Sequence, residues 1–203
     1  MKKENHKLSG RDYHFAGFIK SITSLPEKQE EKFINLISIK RIEAGENFIR
    51  AGESPRTIGF VIEGLFRYFY TSEEGLEFTK GFFDKGSVIS SYDAILENNP
   101  SHYTIQALEP ATIEVVQYNK FHQLFSEDPC WNEFLVALLQ KGYLAKVTRE
   151  RELLLLDAEQ RYRAFLKRYP NLQPRVKQHI IASYLGIAPE SLSRIRKKIG
   201  LLT

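Results

Sequence analysis

The chain has 203 residues, 42% hydrophobic and 27% charged, with a net charge of +4, the profile of an ordinary globular protein. No stretch reaches the length of a membrane span, and the basic residues at 1–7 have no apolar segment behind them, so neither a spanning helix nor a secretory signal is expected. One cysteine, Cys130, excludes an internal disulfide framework and a cysteine-ligated cluster within one chain, which points to a reducing cytoplasm.

Phe15, Phe18, Ile19 and Ile22 recur at helical spacing, and Pro26 opens a second helix, so residues 1–35 read as packing helices. From about 39 to 116 the pattern changes to short apolar runs, rich in β-branched and aromatic residues and cut by glycine. Strands are expected near 39–43, 47–50, 57–63, 65–71, 76–83, 88–91, 102–109 and 112–117, with a turn at Ser72–Gly75. So many short strands suggest a closed or nearly closed roll.

A short helix holding Phe121, Leu124 and Phe125 follows, and Asp128–Pro129 starts a long one from Trp131 to about Leu156. It carries two apolar stripes, Leu135–Leu138–Gly142–Ala145 and Val136–Leu139–Tyr143–Val147, and two stripes imply two packing partners. One stripe is expected to cover the roll, and the small pair Gly142 and Ala145 to let a second copy of the helix approach. A helix serving only its own core is the alternative. Asp157 is placed to cap the next helix, 158–169, which Pro170 stops.

The last segment differs in charge. Residues 158–203 hold ten Lys/Arg and two Asp/Glu, a balance of +8, whereas residues 1–157 hold nineteen and twenty-three, a balance of −4. A basic module on an acidic body fits a nucleic-acid partner. Its apolar residues are spaced for two packed helices, not one long interfacial helix, which argues against a membrane partner. Val176–Leu185 reads as an amphipathic helix ended by Gly186, and Pro189 sits at the first position of a helix running to about Ile199. There Leu192, Ile195 and Ile199 fall on one side, and Glu190, Ser193, Arg194 and Lys197 on the other.

Helix, short turn, helix, with a basic and hydrogen-bonding face, is the pattern of a DNA-reading helix-turn-helix. An ordinary helical hairpin with a solvated face is the bland alternative. Arg194 can donate twice to guanine, Glu190 can accept from cytosine, and Ser193 is a more permissive contact. Lys177, Gln178, His179, Arg196, Lys197 and Lys198 are candidates for phosphate contacts. No nucleophile elbow, phosphate loop or carboxylate pair is present, and His6, His14, His102, His122 and His179 lack metal-ligand spacing. Neither an enzyme nor a cofactor is expected.

The run Glu43–Ala–Gly45 to Gly52–Glu53, then Phe60–Val–Ile–Glu–Gly64, then Phe83–Asp–Lys–Gly86, resembles the β-roll of cyclic-nucleotide-binding-like regulators. Together with the helix-turn-helix, the chain resembles the CRP/FNR family of bacterial transcription regulators over roughly residues 20–200. The resemblance implies an α+β fold: a sensory double-stranded β-roll with N-terminal helices (1–128), a dimerisation helix and hinge (129–157) and a DNA-binding domain (158–203). It implies a homodimer reading an inverted repeat in double-stranded DNA, with RNA polymerase as a further partner.

Members that bind a cyclic nucleotide use a Glu, an Arg-Ser or Arg-Thr pair and a Thr-Ser pair. Those positions fall here on Ser91, on Ser101–His102 and on Lys146–Val147. All three determinants are absent, so the usual mode of cyclic-nucleotide binding is not expected. Ser90, Ser91, Ser101, His102 and Lys146 mark the corresponding region, and the effector is unnamed. A regulator with an altered pocket and an interaction module with a decayed DNA-binding domain remain as alternatives. Glu190–x–x–Ser193–Arg194 resembles the base-reading signature of the FNR branch, which suggests a half-site like TTGA, although Pro189 replaces the Arg that the CRP branch carries. The family's β-hairpin wing is expected to be truncated at Gly200–Thr203.

Overall fold

The computed structural model describes residues 14–200. Two short helices, Phe15–Lys20 (α1) and Glu27–Ile34 (α2), lead into eight strands: Ser38–Ile42 (β1), Asn47–Ile49 (β2), Thr57–Glu63 (β3), Leu65–Thr71 (β4), Glu77–Asp84 (β5), Val88–Ile89 (β6), Thr104–Ala107 (β7) and Ala111–Gln117 (β8). Tyr92–Glu97 (α3) interrupts the strands. Tyr118–Gln123 (α4), Cys130–Leu155 (α5), Ala158–Arg168 (α6), Gln178–Leu185 (α7) and Pro189–Lys198 (α8) follow them. The α+β order expected from the sequence is the one observed. His6 and the wing expectation at residues 201–203 lie outside the described residues.

The strands form two four-stranded antiparallel sheets, ordered β1-β8-β3-β6 and β2-β7-β4-β5. Alternation turns Ile42, Val61, Phe66, Ile89, Ile105 and Ile113 into the space between them, where they form one buried cluster. Gly64 turns β3 into β4 at φ +103°, where a Cβ would lie 2.4 Å from that of Ala111. Only glycine meets both demands. The strand expected at 88–91 stops at Ile89, because Ser91 becomes the N-cap of α3, which ends on Asn98 at φ 53°.

A second core joins the N-terminal helices to the roll and to α5. Phe15 stacks on Phe60 at 5.1 Å, Phe33 meets Trp131 at 5.4 Å, and Trp131 Nε1 donates to Gln29 Oε1 at 3.0 Å. Glu114 is buried and closes the α1 N-terminus: one oxygen accepts from the Phe15 amide at 2.6 Å, the other meets His14 Nδ1 at 2.6 Å. A buried carboxylate needs such partners.

The two stripes of α5 part company. Val136, Leu139, Tyr143 and Val147 are 53, 46, 66 and 41% exposed, a bare apolar seam. Leu135, Leu138, Gly142 and Ala145 line a cavity on the roll side, which Leu139 of the other stripe also borders. Gly142 and Ala145 border this cavity and are themselves exposed, and each stripe sits one residue, or 100°, from the other. At the end of α5 a capping box opens α6: Asp157 accepts from the Gln160 amide at 2.8 Å, and Gln160 Oε1 accepts from the Asp157 amide at 3.0 Å.

The C-terminal helices do not stand apart from the roll. Tyr162, Phe165, Ile181, Leu185 and Leu192 share a core with Leu65 of β4 and Phe82 of β5. Phe82 meets Tyr184 at 5.3 Å and Tyr169 at 5.7 Å.

Candidate nucleic-acid interface and effector region

The helix-turn-helix is set by local chemistry. α7 ends at Gly186 (φ 68°), whose left-handed conformation lets the Ile187 amide reach back to the Ala182 carbonyl at 3.1 Å. Pro189 occupies the first turn of α8, where its missing N–H leaves nothing unpaired. Ile181, Leu185 and Leu192 are buried between the helices. Glu190, Ser193, Arg194 and Lys197 are all exposed on α8, and none makes a side-chain hydrogen bond or ion pair among the described residues. Lys177, Gln178 and His179 are exposed at the start of α7.

Two other sequence candidates are engaged elsewhere. Lys198 Nζ pairs with Glu159 Oε2 at 2.7 Å, and Glu159 also holds Arg163 at 2.9 Å. Arg196 turns towards Tyr162, with its Nε buried and unpartnered. The surface that the structure brings together is thus Glu190, Ser193, Arg194 and Lys197, flanked by Lys177, Gln178 and His179.

Long-range contacts fix how this surface is presented. Ser183 of α7 donates to the Glu77 carbonyl at 2.7 Å and accepts from the Thr79 amide at 2.9 Å, so it completes the edge strand β5. Arg175 clamps Asp84 at 2.5 Å and Glu109 at 2.6 Å. Burial pushes the Asp84 carboxyl up, but the hydrogen bond and charge of Arg175 outweigh it and leave the group below its ordinary value. From α5, Arg149 donates to the Tyr184 carbonyl and lies over the Tyr184 ring at 4.0 Å, while Arg168 pairs with Glu152 at 2.5 Å. Sequence reasoning missed all of these, since Arg175 stands 91 residues from Asp84 and 66 from Glu109.

In the roll, Ser91 and Ser101 are buried and face each other: Ser101 Oγ donates to Ser91 Oγ at 2.8 Å. Ser90 donates its hydroxyl to the Thr57 carbonyl at 3.1 Å. His102 and Lys146 are exposed and are not joined to the serines. Around them stands a cluster that the sequence reading did not identify. Tyr68 stacks on Phe83 at 4.0 Å and on Tyr103 at 5.2 Å, and the Tyr103 hydroxyl donates to Asp93 at 2.9 Å. Lys80 lies over the Tyr103 ring at 4.3 Å. Burial lowers the Lys80 pKa, Asp93 opposes that shift, and Lys146 adds to it, with a net lowering. Burial raises the Tyr103 phenol well above its ordinary range. Strand alternation could have paired Tyr68 with Tyr70, but nothing local foretold Tyr103 or Asp93 beside them.

Residues 39–128 match the family model described as "Cyclic nucleotide-binding domain". The fumarate and nitrate reduction regulatory protein of Vibrio cholerae is 25% identical over 192 residues, spanning 85% of this chain and 73% of that protein. Electron transport regulator A of Shewanella oneidensis is 24% identical over 181 residues, spanning 80% and 70%. A solved regulator of the crp/fnr family from Eubacterium rectale superposes with a TM-score of 0.72 at 14% identity, over 87% of this chain and 84% of that one. Over most of its length the chain is thus similar to regulators of the CRP/FNR type. FixK2 from Bradyrhizobium japonicum shares the fold with a TM-score of 0.71 at 18% identity, over 81% of this chain and 85% of that one.

Within the roll, the buried pair Ser91 and Ser101 has other side chains of the chain beside it. A stack of tyrosines and the Asp93 carboxylate stand there. Burial raises the Asp93 pKa, but bonds from Tyr103, the Ala94 amide and Ser91 outweigh it and keep the group ionised. A cyclic phosphate brought against that carboxylate would meet like charge.

Proposed function

We propose that this chain regulates transcription as a CRP/FNR-type homodimer that reads an inverted repeat in double-stranded DNA through α8. The carrying observation is the set Glu190, Ser193, Arg194 and Lys197, exposed together and unpaired on one face of the second helix of a helix-turn-helix. Arg194 pairs with guanine, Glu190 accepts from cytosine, Ser193 touches a base edge or methyl, and Lys197 with Lys177, Gln178 and His179 holds phosphates. The bare seam Val136–Leu139–Tyr143–Val147 on α5 supplies the dimer contact, since an apolar helical stripe of that length is costly in water. RNA polymerase is the natural partner of a DNA-bound regulator of this type. The cytoplasm is its place.

A cyclic nucleotide bound in the family's usual manner is not part of this reading, because no arginine stands at Ser101–His102 and Asp93 carries negative charge there. The second reading, an altered nucleotide pocket, draws on the family match of the roll and on Lys80 and Lys146, cations beside that region. Random-oligonucleotide selection on the purified protein, at stated salt and without ligand, tests the first reading. Enrichment of an inverted repeat with TTGA-like arms supports it. Enrichment only when cyclic nucleotide is added favours the second.

A further inference from the structure

We propose that the cavity between α1, α4, α5 and the β5–β6 segment binds a small amphipathic carboxylate: an aromatic or medium-chain aliphatic body carrying one acid group. Its role as effector rests on the regulator reading above; its binding chemistry does not. The cavity holds about 340 Å³, within the usual size of small-molecule pockets (~300–1,000 Å³). Phe15, Phe18, Phe83, Phe121 and Leu138 form its walls, and no Asp, Glu or Arg lines it.

The polar groups of the lining do not offer a second charge. Ser90 gives its hydroxyl proton to Thr57, and burial beside Tyr118 pushes the Tyr92 phenol up to about 12, so it stays neutral. The remaining charged group is Lys141, whose ammonium lies 6.0 Å from the centre of the Phe18 ring and joins no ion pair among the described residues. One cation on the lining of an apolar trough complements one anionic head with an apolar tail. Sugars and nucleotides fit badly, because their hydroxyls would be buried against carbon.

The same wall reaches the DNA-binding helices. Phe83 lines the cavity, and Phe82, next along β5, packs on Tyr184 of α7 at 5.3 Å. Successive strand residues face opposite ways, so an occupant touching Phe83 bears on the strand that holds α7.

The test is calorimetric titration of the full chain, free of DNA, with 2-naphthoate and with decanoate, against the neutral isostere 2-naphthylmethanol. Naphthoate should bind once per chain and about fivefold more tightly than the neutral isostere. Lys141→Ala should erase that preference and keep the neutral binding. Leu138→Trp, which fills the cavity, should abolish both. Should that variant fail to fold by circular dichroism, the Lys141→Ala comparison decides. No binding of either acid at about 1 mM overturns the proposal, as does equal binding by wild type and the filled variant. Naphthoate binding with no DNA enrichment would leave the site standing and remove the regulator reading alone.

Discussion

Arg175→Ala tests how the helix-turn-helix is held to the roll. The guanidinium bridges Asp84 and Glu109, with side chains 28, 40 and 32% exposed in that order. Exposed ion pairs are worth about 0.2–1 kcal/mol, and hydrogen bonds to charged groups about 1.5–3 kcal/mol. Partial exposure screens both pairs, so each should contribute about 0.5–1 kcal/mol and the clamp about 1–2 kcal/mol. For a chain of this size, that lowers the melting temperature by about 3–6 °C.

The pH dependence follows from Asp84. Its folded-state pKa lies below the ordinary value, so its contribution is full above the unfolded pKa, about 3.9, and is lost as pH falls through the folded value. Melting curves of wild type and Arg175→Ala should stay separated at neutral pH and converge below about pH 4. High salt should narrow the gap. Coincident curves at pH 7 would refute the reasoning, as would a gap undiminished at acid pH while both proteins remain folded.

Arg194→Ala should cost about 1–3 kcal/mol on the selected site and flatten base preference, read by competition binding; equal weakening on random DNA would remove its base-reading role. Lys197→Ala should lower the slope of log affinity against log salt by about one, and Lys198→Ala by less, because Glu159 already pairs with Lys198. Equal slopes for the two variants would contradict that distinction. Tyr143→Asp places a charge in the bare seam of α5 and should shift sedimentation from dimer to monomer with circular dichroism unchanged. A dimer that survives it would place the contact elsewhere.

The sequence by itself determined what depends on local chemistry and periodicity. Short β-branched and aromatic runs cut by glycine marked the strands, Asp157 marked a helix cap, and Gly186 with Pro189 marked a helix end and a helix start. The exposed polar set on α8 was legible for the same reason: 100° per residue places Glu190, Ser193, Arg194 and Lys197 together, whatever the rest of the chain does. Periodicity also found both stripes of α5, but could not say which one met the roll.

Tertiary structure alone decided the rest. Lys198 and Arg196 look as available as Lys197 in sequence, yet folding sets Glu159 against the first and Tyr162 near the second. Arg175 finds Asp84 and Glu109, and Ser183 finds the open edge of β5, only once the roll has closed. The tyrosine and Asp93 cluster is assembled from β4, α3 and the turn before β7. Side-chain pairing across tens of residues depends on which surfaces hydrophobic burial has brought together, and burial is non-directional and leaves no periodic trace.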